Sequence, residues 1–416
     1  MTEDGGRPGR MASPSFPTGW GSERPGRGSP RSDRQAGHAS SSLPLPCTGG
    51  RVRAPMQTIT LAALPTHLGF ALALAALSAM VVWLVLRLGI MDMPNARSSH
   101  VRPTPKGGGL GVVVATLAGL VVQYNVATIA RIEDTYFVAV LVGAATIAAV
   151  SLADDVLDFS FRWKLAAQVF AALVPMPFGL VLDSVSLPFV GTVPLGPIGW
   201  LATLAWIVFL TNAMNFIDGL DGMCAGIAVI AALFLAAIAI ANGGAFVYVA
   251  SLALAAGCAG FLPFNIPRAR IFLGDVGSQF IGYLFAVLGI AAAQFDTARV
   301  SMFIVPLLLA APILDVAFTL ARRLLNGERL AEAHRGHLYQ VLARSGVAPL
   351  GVSALYWAMT ALAGVAGFRF LALSPPAKLG VAVAAAGLFC LYAAWVACRA
   401  RRAGITAWSG GAPARR

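Results

Sequence analysis

The sequence predicts an all-α, polytopic membrane bundle, and three observations carry that expectation. Mean hydropathy over the chain is +0.76. Apolar residues make up 58% of the 416 residues and charged ones only 12%, too little polar surface for a soluble chain of this length. The apolar residues also fall in continuous runs of about 20, the length that crosses hydrocarbon as a helix. A membrane barrel would alternate instead.

Residues 1–55 are rich in Gly, Pro, Ser and Arg with no apolar period, so disorder is expected there, and nothing in them resembles a signal-peptide core. From 56 to 400 one membrane domain is expected, followed by a basic tail over 401–416. Its apolar runs give about 10–11 spans, near 67–90, 109–126, 136–153, 163–182, 198–212, 223–241, 245–263, 278–294, 300–321, 349–368 and 378–397. With the loop after the first span placed inside, the inner side holds Arg97, Arg102, Lys106, Arg162, Lys164, Arg268, Arg270, Arg322, Arg323, Arg329, Arg335 and Arg344. The outer loops hold only Arg131, Arg299, Arg369 and Lys378. This bias predicts a cytoplasmic face for the first group. It also puts the Arg-rich residues 1–55 outside, against the charge rule, and a true start at Met56 would remove the conflict.

The net charge of +12 suits anionic lipid headgroups and anionic substrates, with nucleic acid not expected as a partner. The five cysteines, Cys47, Cys224, Cys258, Cys390 and Cys398, lack metal-ligand spacing and are expected as small apolar core residues.

Charged groups are costly within a span, roughly 2.5–3.5 kcal/mol each at its centre. Four polar cassettes nevertheless recur at the same end of alternate spans. The first, Asp154-Asp155-Val156-Leu157-Asp158, closes the third span. Adjacent carboxylates there can bind a hard cation or divide base and orienting roles, or form an ordinary acidic loop near Arg162 and Lys164. The second runs from Asn212 to Gly222 and places Asn212, Asn215 and Asp218 along one side of a helix end, with Asp221 beyond. Two amides and two carboxylates can take both a metal and the edge of a base or sugar; a polar cap with an Asp-Gly turn is the plainer alternative.

The third, Phe272-Leu273-Gly274-Asp275-Val276-Gly277-Ser278, puts a carboxylate between glycines at a helix start. It could carry Mg²⁺ bridging pyrophosphate oxygens, or merely cap the helix. The fourth, His334-Arg335-Gly336-His337-Leu338-Tyr339-Gln340, offers donors to phosphate oxygens; two histidines without a third ligand make a poor zinc site. A short helix over 335–344 would set the two histidines on neighbouring faces. Before the second span, Arg97-Ser98-Ser99-His100 and the Lys106-Gly107-Gly108-Gly109 run form either an anion cradle or a juxtamembrane turn. Asp315, inside the ninth span, is expected to pair with Arg322 or Arg323 near the interface.

Taken together, the DD, NxxNxxDGxDG, FxGDxGS and HxxHxxQ cassettes, in this order, resemble the polyprenyl-phosphate N-acetylhexosamine-1-phosphate transferases of glycosyltransferase family 4. The resemblance covers roughly residues 67–400. It implies transfer of a sugar phosphate from a UDP-N-acetylhexosamine to undecaprenyl or another polyprenyl phosphate, with release of UMP and with Mg²⁺ or Mn²⁺ as cofactor. It also implies a bacterial inner membrane, multi-pass, with the active site facing the cytoplasm; a homodimer stays open.

Residue by residue, the resemblance implies Asp275 as catalytic metal ligand with Asn215 near the metal, and Asp154 and Asp155 beside the acceptor phosphate. Asn212, Asp218 and Asp221 would line the nucleotide-sugar pocket, with Phe272 stacking on uracil. His334 and His337 would meet the diphosphate or sugar, and Lys164 would neutralise phosphate; Lys106, beside the glycine run, is a further substrate-binding candidate from its own segment. The phospho-N-acetylmuramoyl-pentapeptide branch of peptidoglycan synthesis is expected to carry three clustered histidines where this chain has His-Arg-Gly-His. The expectation is therefore the branch that begins O-antigen or other surface polysaccharides. A secondary transporter, the rival of another class, would place its polar groups near the midplane of broken helices.

Overall fold

The computed structural model describes residues 63–89, 91–92, 104–126, 134–157, 159–187, 189–294, 300–329, 334–405 and 408. Residues 1–55 with the expected start at Met56, Arg97–His100, Asp158 and most of the tail past 405 lie outside them. The apolar runs become helices α1 (Leu64–Leu88), α2 (Gly109–Val126), α3 (Asp134–Leu157), α4 (Phe161–Leu173), α5 (Pro197–Ile217), α6 (Met223–Ala241) and α7 (Ala245–Asn265). Then follow α8 (Gly274–Gln294), α9 (Ile304–Leu308), α10 (Ala310–Leu325), α11 (Leu338–Arg344), α12 (Pro349–Phe370) and α13 (Pro375–Arg402). Pro stands in the first turn of α1, α5, α12 and α13, where its missing N–H leaves nothing unpaired.

Among the described residues, nine of these helices are long and apolar enough to cross a membrane. Two expected spans need correction. The run at 163–182 yields only the 13-residue α4, because Pro175 and Pro177 stop it and a 3₁₀ turn, Met176–Phe178, follows. At 1.5 Å per residue α4 covers about 20 Å, short of a bilayer core. The run at 300–321 is broken between Leu308 and Ala310 into α9 and α10, since Pro312 cannot donate to the carbonyl of Leu308 and crowds it. Both segments still connect opposite ends of their neighbours, so the alternation that gathers the cassettes survives. The segment at 183–197, between two of the apolar runs, holds a small hairpin of Ser184–Leu187 paired with Gly191–Pro194.

α8 is the axis of the bundle. Every residue from Val276 to Ala292 is buried, and α2, α3 and α5 pack around it. Small residues permit this, as in membrane helix pairs generally. A Cβ at Gly109 of α2 would sit 2.3 Å from the Gly277 Cα of α8. The polar start of α8 is thereby fixed against the ends of three other helices. Cys224 and Cys258 lie in the core as expected, whereas Cys390 and Cys398 are exposed on the outlying α13, which few neighbours cover; Cys47 is outside the described residues.

Candidate active site

The first cassette ends α3, the third begins α8, and the two meet. Asp155 accepts the backbone N–H groups of Asp275 at 3.3 Å and Val276 at 3.4 Å. Its carboxylate thus covers the unpaired amides of α8's first turn, where negative charge is favoured. Gly274 makes the approach feasible: its φ is +74°, and a Cβ there would lie 2.6 Å from Asp155 Oδ2. Because Asp155 performs the capping, the Asp275 carboxylate is released from the role that a helix-start Asp would otherwise take.

Asp275 instead faces a cation and amides. Lys164, in the first turn of α4, places Nζ 2.6 Å from Asp154 Oδ2 and 3.3 Å from Asp275 Oδ2. Asn215 donates from Nδ2 to Asp275 Oδ1 at 3.0 Å and to Ser278 Oγ at 3.0 Å. Lys106 lies 3.9 Å from Asp155. The loop that carries it is tied to the third cassette by backbone bonds: Phe272 N donates to Pro105 O at 2.8 Å, and Gly108 N to Phe272 O at 2.9 Å. The half-buried ring of Phe272 rides on that ladder.

Two glutamines that the sequence reading missed complete the contact. Gln279 donates to Asp275 Oδ2 at 3.2 Å, Gln168 donates to Gln279 at 2.9 Å, and Asn212 donates to Gln168 at 2.6 Å. Their signal was spacing: Gln168 follows Lys164, and Gln279 follows Asp275, by one helical turn. Asn212 is thus engaged by the protein rather than pointing free.

Asp218, just past α5, makes no side-chain hydrogen bond among the described residues. Loss of hydration raises its carboxyl well above the usual range, and Asp275, Asp155 and Asp221 push the same way. Asp221 takes a supporting position, accepting Ala269 N at 3.1 Å while its backbone carbonyl accepts Ser353 Oγ at 3.0 Å.

The fourth cassette reaches this end of the bundle through Tyr339, whose hydroxyl donates to Phe216 O at 2.9 Å, inside the second cassette. Gly219 leaves room for that hydroxyl, since a Cβ would collide with it. The expected helix over 335–344 begins later, at Leu338, so both histidines precede it. Their ring centroids are still 4.8 Å apart, and His337 packs 5.7 Å from the Phe216 ring. Burial lowers His334 to about 4, helped by His337, Arg323 and Arg322, so it is neutral at physiological pH.

Asp315 departs from expectation. Arg323 pairs with Glu328 at 3.1 Å and Arg322 lies 3.6 Å from the same carboxylate. Asp315 turns inward, fully buried, and accepts backbone N–H groups of Leu338 and Tyr339.

A family model described as glycosyl transferase family 4 matches residues 137–293, which hold the first three cassettes. A probable undecaprenyl-phosphate N-acetylglucosaminyl 1-phosphate transferase of Bacillus subtilis is 31% identical over 265 residues, covering 64% of this chain and 72% of the relative. The chain belongs to glycosyl transferase family 4.

A second relative, the decaprenyl-phosphate N-acetylglucosaminephosphotransferase of Mycobacterium tuberculosis, is 30% identical over 284 residues, 62% of this chain and 70% of that one. The undecaprenyl-phosphate alpha-N-acetylglucosaminyl 1-phosphate transferase of Escherichia coli is 25% identical over 266 residues, 62% and 71% of the two chains. The chain is accordingly a multi-pass membrane enzyme of the polyprenyl-phosphate sugar-phosphate transferase type. The family-4 cluster also suits a hard divalent ion. Among the described residues there is no ready cage of three His, Cys, Asp or Glu. Mg²⁺ needs none, because it is commonly held by one or two carboxylates plus substrate phosphate and water. Carboxylate and amide oxygens at Asp275, Asp154, Asp155 and Asn215 are that kind of donor set.

Proposed function

We propose that this enzyme transfers N-acetylhexosamine 1-phosphate from a UDP-sugar to undecaprenyl phosphate at the cytoplasmic face of a bacterial inner membrane. The observation that carries the reading is the meeting of three cassettes and a lysine: Lys164 bridges Asp154 and Asp275, Asn215 donates to Asp275, and Asp155 accepts the Asp275 N–H. Phosphoryl transfer asks chiefly for positioning and for neutralisation of phosphate charge, and this cluster offers both.

An oxygen of the acceptor phosphate attacks the donor phosphorus that bears the sugar. The bond from that phosphorus to the bridging oxygen breaks, and UMP leaves with the electron pair. The sugar's anomeric bond is untouched, so its configuration is retained. A lipid phosphate is already anionic near neutral pH, so Asp154 and Asp155 orient and balance charge more than they remove a proton. Lys164 and Lys106 stand where incoming phosphate oxygens can replace carboxylates as their partners. Asp275 and Asn215, with Asp154 or Asp155 beside them, would hold Mg²⁺ or Mn²⁺, which when bound supplies further neutralisation of the diphosphate. Asp218, Asp221 and Asn212 border the side on which the nucleotide-sugar would lie, with Phe272 for the uracil. His334 and His337 close the same side and donate to diphosphate or sugar.

The His-Arg-Gly-His sequence supports the surface-polysaccharide branch, and the names of the relatives support N-acetylglucosamine as the sugar. The purified protein in liposomes, given undecaprenyl phosphate and either UDP-N-acetylglucosamine or UDP-N-acetylmuramoyl-pentapeptide, tests this. Release of UMP with the first, and a lipid product heavier by one N-acetylhexosamine phosphate, is expected. Turnover with the second alone would assign the peptidoglycan branch. Transport of solute without any lipid product would return the rival class.

A further inference from the structure

We infer that Asp315 is the positioning residue that sets the His334–His337 loop against the catalytic cluster. The inference rests on the proposed donor-binding role of that loop and goes one step beneath it. Asp315 lies on α10, is wholly buried, and belongs to none of the four cassettes. Its two oxygens are divided between its own helix and two others, α11 and α12. Oδ1 accepts Leu338 N at 2.9 Å and Oδ2 accepts Tyr339 N at 3.1 Å, so the carboxylate straddles the start of α11. Oδ1 also accepts Thr319 Oγ1 at 3.2 Å from its own helix. Oδ2 takes the hydroxyl of Tyr356 on α12, which in turn receives Tyr392 of α13 at 3.1 Å.

His337 is the residue this arrangement delivers. It immediately precedes α11, is 3% exposed, and brings Nδ1 to 3.4 Å from Asp315 Oδ1. That contact is within ion-pair distance but is not aligned as a hydrogen bond. A carboxylate at this distance favours a ring orientation that turns Nδ1 toward it and leaves the opposite nitrogen to serve elsewhere. On the far side, Tyr339 links the same turn to Phe216 O, between Asn215 and Asp218. One buried carboxylate therefore joins α10, α12 and α13 to the loop whose imidazole meets the second cassette. A structural ion pair would have used Arg322 or Arg323, only seven and eight residues away, and both are turned to Glu328.

A double-mutant cycle on UMP release tests the link, with rates normalised to monodisperse protein. Asp315→Asn keeps the volume but puts an amide N–H₂ against backbone donors, and it should lower kcat/KM for the UDP-sugar about tenfold or more. KM for undecaprenyl phosphate should stay within about twofold, because the acceptor side is untouched. In a His337→Ala background the same change should cost nothing further, since the two act as one unit. Full additivity of the two losses would overturn the inference. If Asp315→Asn does not fold, Tyr356→Phe removes one donor to Oδ2; it should cost a few-fold alone and nothing beside His337→Ala, and an equal cost in both backgrounds would overturn it. Hydrogen exchange of Asp315→Asn, or of Tyr356→Phe in its place, separates this from the proposed reaction. Amides of 334–344 should exchange faster while those of 212–222 do not, whatever the substrate proves to be. Unchanged exchange over 334–344 would overturn the positioning role even in an active enzyme.

Discussion

Two carboxylate sites at the same end of the bundle use the same side chain in opposite ways. At the junction of α3, α4 and α8, three aspartates lean on Lys164 and Lys106, whose side chains are still 27% and 24% exposed. At the junction of α10 to α13, Asp315 is 0% exposed and its oxygens are filled by backbone amides and hydroxyls. Mobile, partly hydrated cations can exchange a carboxylate for an incoming phosphate. Fixed neutral donors cannot. The first arrangement suits charge that arrives and leaves with substrate, and the second suits a part that must hold still.

Replacing Lys164 should produce the larger break in that comparison. Lys164→Met leaves Asp154 and Asp275 facing each other without their cation, and turnover should fall roughly a hundredfold or more, the scale of losing one preorganised charge contact. UMP release from folded protein measures it; a rate near wild type would make the lysine a bystander. Next in size is Gly274→Ala. The residue would have to hold φ of +74° with a Cβ 2.6 Å from Asp155 Oδ2, which should cost about 1–3 kcal/mol. Thermal unfolding in detergent should show a lowered Tm, and an unchanged Tm would mean that α8 starts elsewhere.

The smallest expected effect concerns His334. Its folded value of about 4 lies below the unfolded value of 6.5, so between those pH values the unfolded chain binds the extra proton. Stability contributed by this group therefore rises with pH across that window and is lost on acidification. His334→Gln should flatten the dependence of Tm on pH between about 4 and 6.5, the span set by the two values. A slope identical to wild type would show that the imidazole is not held neutral.

The cassettes were legible because a charged or amide group inside so apolar a chain needs a reason, and their common end was legible from counting spans. The partnerships were less so. Asp155 capping α8 joins residues 120 positions apart through backbone N–H groups, which no letter of the sequence records. The same holds for Asp315, where the nearby arginines suggested a pair and the amides of Leu338 and Tyr339 took their place. Gln168 and Gln279 were hidden in apolar helices although one turn from Lys164 and Asp275. The short α4 and the broken α9–α10 had their cause in plain view at Pro175, Pro177 and Pro312. An average over each run outweighed those prolines and read each segment as one long unbroken helix.

Asp275 is the group on which Lys164, Asn215 and Gln279 all converge, and its substitution reaches the centre of the account. The decisive measurement is UMP release by Asp275→Asn in liposomes with undecaprenyl phosphate, a UDP-N-acetylhexosamine and a full range of Mg²⁺ concentrations. The protein should remain folded in the bilayer and release no detectable UMP at any concentration. Turnover at the wild-type rate would place the chemistry elsewhere in the molecule.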